Sequence, residues 1–165
     1  MQQKKQRNKR IITVVLLLIV IASCGLISRF AFQLALIDGA SMKPAYKSLQ
    51  FVLIDKTKRD FNTGDVVSVR LDSGRMIVKR IAAAPGDRLI ISDGIISVNG
   101  EQSPVYRDSE IEFAGSAKNE IILGEGEYFV LGDNLKESRD SRYEEVGIIS
   151  EKQITGRIVP QKNFE

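Results

Sequence analysis

The sequence predicts a mostly β protein, in which a single N-terminal transmembrane helix leads into an antiparallel β-sheet or partly open barrel. Three observations carry that expectation. Residues 11–28 run without a charge for 18 residues behind a basic start. From Leu49 onward, short apolar runs alternate with turn sequences, and no long window there holds a helical period. The turn sequences are rich in Gly, Asn and Asp, which suits tight reversals between antiparallel strands.

The first ten residues carry five basic and no acidic side chains. The uncharged segment that follows would extend about 27 Å as a helix, close to the thickness of a bilayer core. The positive-inside rule keeps the basic tail in the cytoplasm and sends the rest outward. The chain therefore divides into a basic cytoplasmic tail (1–10), a transmembrane anchor (11–28), an interfacial linker (29–35) and an extracytoplasmic β-rich domain (36–165). It is expected in the plasma membrane as a single-pass protein with the lipid bilayer as a partner. A cleavable secretory signal also has a basic start and an apolar stretch. Ile21-Ala22-Ser23-Cys24 resembles a lipoprotein cleavage box, with Cys24 as the lipidated residue. The continuation into apolar Leu26-Ile27 and then Phe30–Ile37, rather than a polar tether, favours the uncleaved anchor.

Strands are expected at Phe51–Ile54, Val66–Leu71, Met76–Ala84, Leu89–Ile91, Ile95–Val98, Tyr128–Leu131 and Ile154–Val159. Thr63-Gly64-Asp65, Asp72-Ser73-Gly74, Pro85-Gly86-Asp87, Ser92-Asp93-Gly94, Asn99-Gly100 and Gly132-Asp133-Asn134 punctuate them. Residues 101–127 are more polar and read as a surface excursion, with Ile111, Phe113, Ile121 and Ile122 available for strand edges. All 21 acidic residues lie beyond Arg29, leaving 18 basic against 21 acidic side chains there, a balance of −3. That balance gives no reason to expect a nucleic-acid partner. The lone cysteine, Cys24, permits no intrachain disulfide.

The chain contains no histidine. Ser-His-Asp and Cys-His catalysis are thereby excluded within one chain, as is a His-ligated zinc site. Ser41 lies between small residues and Pro44, where the apolar segment hands over to the folded domain. A nucleophilic serine here needs a lysine amine, or less often a carboxylate, as its base. In the strand expected at 76–84, alternation places Ile77, Lys79, Ile81 and Ala83 on one face. Lys79 is the lone charge on that face, and burial among isoleucines lowers a lysine pKa toward neutrality. Taken singly, a turn serine is more often a local hydrogen-bonding residue, and a strand lysine more often snorkels to water.

Three boxes then occur in order. Ser41-Met42-Lys43-Pro44 resembles the Ser-Met-x-Pro box of the type I signal peptidases. Lys79-Arg80, followed by Pro85-Gly86-Asp87, is similar to that family's Lys-Arg-x4-Pro-Gly-Asp box. Gly132-Asp133-Asn134 with Ser138, Asp140, Ser141, Arg142 and Gly147 resembles its Gly-Asp-Asn-x3-Ser-x-Asp-Ser-Arg segment. The resemblance spans nearly the whole chain. It implies a membrane-bound serine endopeptidase that removes signal peptides from exported preproteins with small residues at the cleavage site, without metal or organic cofactor. In that likeness Ser41 is the nucleophile and Lys79 the general base. Ser138 orients the lysine amine, Asp140 and Arg142 form a supporting ion pair near Arg80, and Ile37, Met42 and Val78 line the substrate pockets. The Ser41 N–H is the expected oxyanion donor.

Departures from the family pattern are Ala45 for Thr, Ala83 for Gly, Leu135 for Arg, and Gly39 where some relatives carry a hydroxyl. None removes a proton-transfer group, but they keep open a catalytically silent accessory protein in surface-fibre assembly. A self-cleaving Ser-Lys repressor shares the dyad logic, yet would need a DNA-binding module where this chain has an apolar segment.

Overall fold

The computed structural model describes residues 2–160. A 30-residue helix, α1 (Gln2–Ala31), leads into eleven strands. They are β1 (Phe32–Leu36), β2 (Phe51–Asp55), β3 (Val66–Arg70), β4 (Met76–Ala83), β5 (Arg88–Ser92), β6 (Ile95–Val98), β7 (Glu101–Gln102), β8 (Ile121–Ile122), β9 (Glu127–Leu131), β10 (Ile149–Ser150) and β11 (Ile154–Ile158). One seven-stranded sheet has the order β1-β2-β11-β3-β4-β9-β10, and a smaller sheet has the order β7-β6-β5-β8. Every pairing among the described residues is antiparallel, so the fold is mostly β as expected.

The seven expected strands appear within a residue or two of their expected ends. Turn chemistry explains the precision. Asp93-Gly94 joins β5 to β6 and Asn99-Gly100 joins β6 to β7, each as a two-residue reversal with positive φ at both positions (51° and 76°, 55° and 84°). That backbone matches the natural twist of a hairpin and is open at low cost only to Gly, Asn and Asp. Within 101–127, Ile121 and Ile122 form β8, whereas Ile111 and Phe113 lie outside any strand. Ile111 is buried in the core instead, and Phe113 is exposed.

The stretch expected as an interfacial linker, 29–35, is different. Phe32 to Ala35 belong to β1, which pairs along its whole length with β2, from Phe32↔Asp55 to Leu36↔Phe51. The alternation of Gln33 and Ala35 with Phe32, Leu34 and Leu36 supports a strand, but apolar residues on both sides of the linker hid it. The expected anchor, 11–28, lies within α1. The side chains of Ile11 and of residues 26–28 are outside the described set. Among the described residues, no helix is long and apolar enough to cross a membrane.

Three apolar clusters form the core, and β4 touches all of them. Ala82 and Ala83 pack with Leu89, Ile96, Phe129 and Leu131. Ile81 packs with Val67, Val69, Val130 and Ile149, and Ile77 lies against the same group. Val78 lies against Ile37, Met42, Val52, Ile54 and Ile158. A strand buried on both faces is the place where an embedded charge meets least water.

In the larger sheet β11 is wedged between β2 and β3, with a register shift between Ile154 and Gly156. A β-carbon at Gly156 would sit 2.5 Å from the Asp55 carbonyl oxygen and 2.7 Å from Ile54 Cγ2. Backbone cannot yield as a flexible side chain does. Gly156→Ala is therefore expected to destabilise the domain by about 1–3 kcal/mol, read as a lower thermal midpoint in detergent. An unchanged midpoint would show that the strands can separate at no cost.

Candidate active site

After β1 the chain leaves the sheet, and the returning segment is pinned at its base. The Ile37 N–H donates to the Gln50 carbonyl at 2.9 Å, and the Leu49 N–H donates to the Ile37 carbonyl at 2.8 Å. Met42, 1% exposed, plugs this loop into the cluster of Ile37, Tyr46, Val52 and Ile54. Ser41 is thus held by the buried side chain that follows it.

Lys79 reaches the same place from the middle of β4, where it lies opposite Val67 of β3. Its Nζ is 2.8 Å from Ser41 Oγ, across 38 residues of sequence. The side chain is 4% exposed, in line with the expected burial. Burial brings the Lys79 pKa down from 10.5 to about 8. The Asp140 and Asp133 carboxylates oppose that fall, while Arg75 and Arg142 add to it. A neutral amine at this distance can take the proton of Ser41.

The third wall comes from residues 132–142. The Asn134 N–H donates to the Ser41 carbonyl at 2.9 Å. A β-carbon at Gly132 would collide with the side chain of Ser138 and with the Ser41 carbonyl, so glycine is required by contact and not by its dihedral angles. Asp140 and Arg142 form the expected ion pair, fully buried, with Arg142 Nε 2.8 Å from Oδ1 and Nη2 2.9 Å from Oδ2. Arg142 also donates to the carbonyls of Leu135 and Phe113, and the Gly132 N–H donates to Asp140 Oδ2. The pair is a strut that ties the segment back on itself. The Ser138 hydroxyl is buried within this wall and has no hydrogen-bond partner among the described residues, so the expected bond to the Lys79 amine is not made.

One contact and one buried hydroxyl had no counterpart in the sequence reading. Gly132-Asp133-Asn134 was expected as a turn whose Asp and Asn bond their own backbone. Instead the Asp133 carboxylate takes a bidentate pair from Arg80, both contacts at 2.7 Å, while Arg80 Nη1 donates to the Gly64 carbonyl. Arg80, next to the lysine, is thereby turned away from the amine. Tyr106, also buried, has its pKa pushed up by that burial and carries an unpartnered hydroxyl. No local pattern marks either residue, because their surroundings come from distant parts of the chain.

A cleft of about 490 Å³ opens over Ser41 and Lys79. Ile37, Met42 and Val78 all border it, together with Ala35 of β1 and Ile77 of β4. Asp38, Arg75, Glu137 and Arg139 add charges to its lining. The arrangement brings a hydroxyl, a depressed-pKa amine and an apolar trough together, which suits acyl transfer by a serine.

Residues 9–161 match the family described as "Signal peptidase, peptidase S26". The chain is 32% identical over 143 residues to signal peptidase I of Bacillus licheniformis, covering 79% of this chain and 76% of that protein. It is 33% identical over 132 residues to signal peptidase I U of Bacillus subtilis (strain 168), covering 73% and 70%. A crystal structure of a signal peptidase I from Enterococcus faecalis V583 aligns with a TM-score of 0.48 and 22% identity, over 61% of this chain and 97% of that one.

Two outcomes test the geometry. Because the folded pKa of Lys79 lies below the ordinary lysine value, the folded state binds fewer protons, and its burial penalty is full below about pH 8 and fades as pH rises toward 10.5. Lys79→Met should therefore stabilise the domain at neutral pH by on the order of 3 kcal/mol relative to its effect above that window, measured as unfolding midpoints across pH. A pH-independent difference would show that the amine is not desolvated. Asp140→Asn, which leaves the Arg142 guanidinium buried without its countercharge, should lower stability by about 3–5 kcal/mol in the same assay.

Proposed function

The chain belongs to the signal peptidase family, peptidase S26, and is a serine peptidase; from that premise we propose that it is a membrane-bound endopeptidase cleaving signal peptides from exported preproteins through Ser41 and Lys79. The observation that carries the reading is the 2.8 Å contact between Lys79 Nζ and Ser41 Oγ at the base of an apolar cleft.

In the proposed reaction Lys79, neutral, takes the proton from Ser41 Oγ as the oxygen attacks the scissile carbonyl. The negative charge that develops on the carbonyl oxygen is met by the Ser41 N–H. Lys79 then passes the proton to the leaving amine, and the acyl group stays on Ser41. Water enters, gives a proton to Lys79 and attacks the acyl carbon; the bond to Ser41 Oγ breaks, Lys79 returns the proton to Oγ, and the new carboxyl product leaves. Ser138 lies in the adjoining wall with its hydroxyl buried and without a hydrogen-bond partner among the described residues, so the Lys79 amine is oriented here by Ser41 and not by Ser138. Asp140 and Arg142 hold that wall in place.

The cleft is bordered by β1 on one side and by the first half of β4 on the other. β4 pairs with β3 from Met76 to Arg80, whereas its pairing with β9 begins at Arg80, so Met76–Lys79 keep an unpaired edge. An extended peptide can add there as a strand, its backbone bonding independently of sequence. Ile37, Met42 and Val78 leave room for small side chains, which suits Ala-x-Ala sites. Lipid contact is supported by the exposed apolar side chains of Ile12–Ile21 on α1 and by Phe30, Phe32, Leu34, Leu36, Phe51 and Leu53 beyond it. In this reading α1 anchors the chain in the plasma membrane, and the β domain works on the outer face.

Purified full chain in detergent, given a preprotein with an Ala-x-Ala site, should cut after the second small residue, and Ser41→Ala or Lys79→Ala should each lower kcat/KM by roughly 10⁴-fold or more. Wild-type rates should rise with pH through about 8, since Lys79 acts only after losing its proton. Retention of cleavage by Ser41→Ala, or a rate that peaks in acid, would reject the mechanism.

A further inference from the structure

A basic recess lies where the sheet meets α1. The registers Phe32↔Asp55, Ile154↔Val69 and Arg70↔Met76 place the starts of β1, β4 and β11 and the ends of β2 and β3 at one end of the sheet. The helix arrives at that same end, where the Lys56 N–H donates to the Ala31 carbonyl at 2.8 Å. Here Lys56, Arg59, Arg70 and Lys152, with Gln33 and Thr155, border a recess of about 290 Å³. Its lining holds four cations and no carboxylate. None of the four is ion-paired among the described residues, in contrast to Arg80, Arg88, Arg142 and Arg157.

Like charges gathered around one hollow repel one another and favour an anion between them. The neighbouring surface narrows the choice of anion. Met76, 41% exposed, lies on the recess wall, and Phe32, Leu34, Leu36, Phe51 and Leu53 are exposed on the face of the β1–β2 pair opposite Gln33, reached from the recess by passing over the β1 edge of the sheet. A molecule with a phosphate at one end and acyl chains at the other matches both surfaces together. We propose that this recess binds the headgroup phosphate of an anionic phospholipid in the outer leaflet. The proposal rests on the membrane-anchored reading above and adds to it a specific lipid class. An acidic peptide would satisfy the cations but not the apolar face. Gln33 and Met76 border both this recess and the active-site cleft, so a seated lipid lies at the cleft's α1 end.

The test uses the full chain in a mild detergent, with phosphatidylglycerol or phosphatidylcholine added and retained lipids counted by native mass spectrometry. The comparison is with Arg59→Gln/Arg70→Gln/Lys152→Gln, none of which belongs to the catalytic machinery. The parent chain should retain phosphatidylglycerol over phosphatidylcholine by about fivefold, and the triple variant should carry about one phosphatidylglycerol fewer per chain. Inorganic phosphate in large excess should not displace it. An unchanged count in the variant would overturn the proposal and assign the lipid to the basic N-terminal tail. Displacement by inorganic phosphate, or by an acidic peptide, would overturn it in favour of a free-anion or peptide site. Should the triple variant fail to fold, Arg70→Gln and Lys152→Gln singly carry the same comparison. Because counting lipids requires no peptidase activity, a chain that retains the lipid but cleaves no preprotein would reject the proposed function and leave the lipid site standing.

Discussion

The arrangement depends on keeping an amine dry beside a hydroxyl. Lys79 sits on the one strand that all three apolar clusters share, so its amine is walled in by the same packing that holds the sheet together. Desolvation there acts against the ammonium form. Two carboxylates and two guanidiniums act in opposite directions on the same amine, and burial is the largest influence.

Asp133, Asp140 and Arg142, three of the four charges that act on the amine, are each fixed by a partner. Arg80, adjacent to the lysine in sequence, is occupied by Asp133 and the Gly64 carbonyl. Arg142 is occupied by Asp140 and by carbonyls from two separate stretches of chain. Buried ion pairs of this kind contribute little net stability against well-packed apolar residues, yet losing one partner is costly. Their effect is on geometry: they hold the 132–142 segment at the distance from Ser41 that Gly132 alone permits.

Much of this was legible in the sequence, and unevenly so. Strands bounded by Asp-Gly or Asn-Gly were readable because the turn residues dictate a backbone that only a hairpin uses. β1 was not, since its apolar residues continue those of the helix before it, and its outward face is apolar as well. Ser41, Lys79 and the Asp140–Arg142 pair were singled out from the three boxes; Ser41 and Lys79 meet in the cleft, and the Asp140–Arg142 pair is buried behind it. Ile37, Met42 and Val78 border that cleft. Asp133 was assigned to a turn because its partner, Arg80, lies 53 residues earlier, and no periodicity connects residues that far apart. Ser138 is in the right wall, but its hydroxyl stands unpaired and not on the lysine.

The sheet order also has a consequence in time. Ser41 follows β1 and precedes β2, while Lys79 belongs to β4 beside β3, and in the hydrogen-bonded sheet these two halves are joined by β11. β11 is the last strand in the order of synthesis. A chain emerging from the ribosome therefore carries Ser41 and Lys79 before the strand that seats one half against the other. Within the sheet, the half that carries the Ser41 loop and the half that carries Lys79 are linked only when β11 slots between β2 and β3.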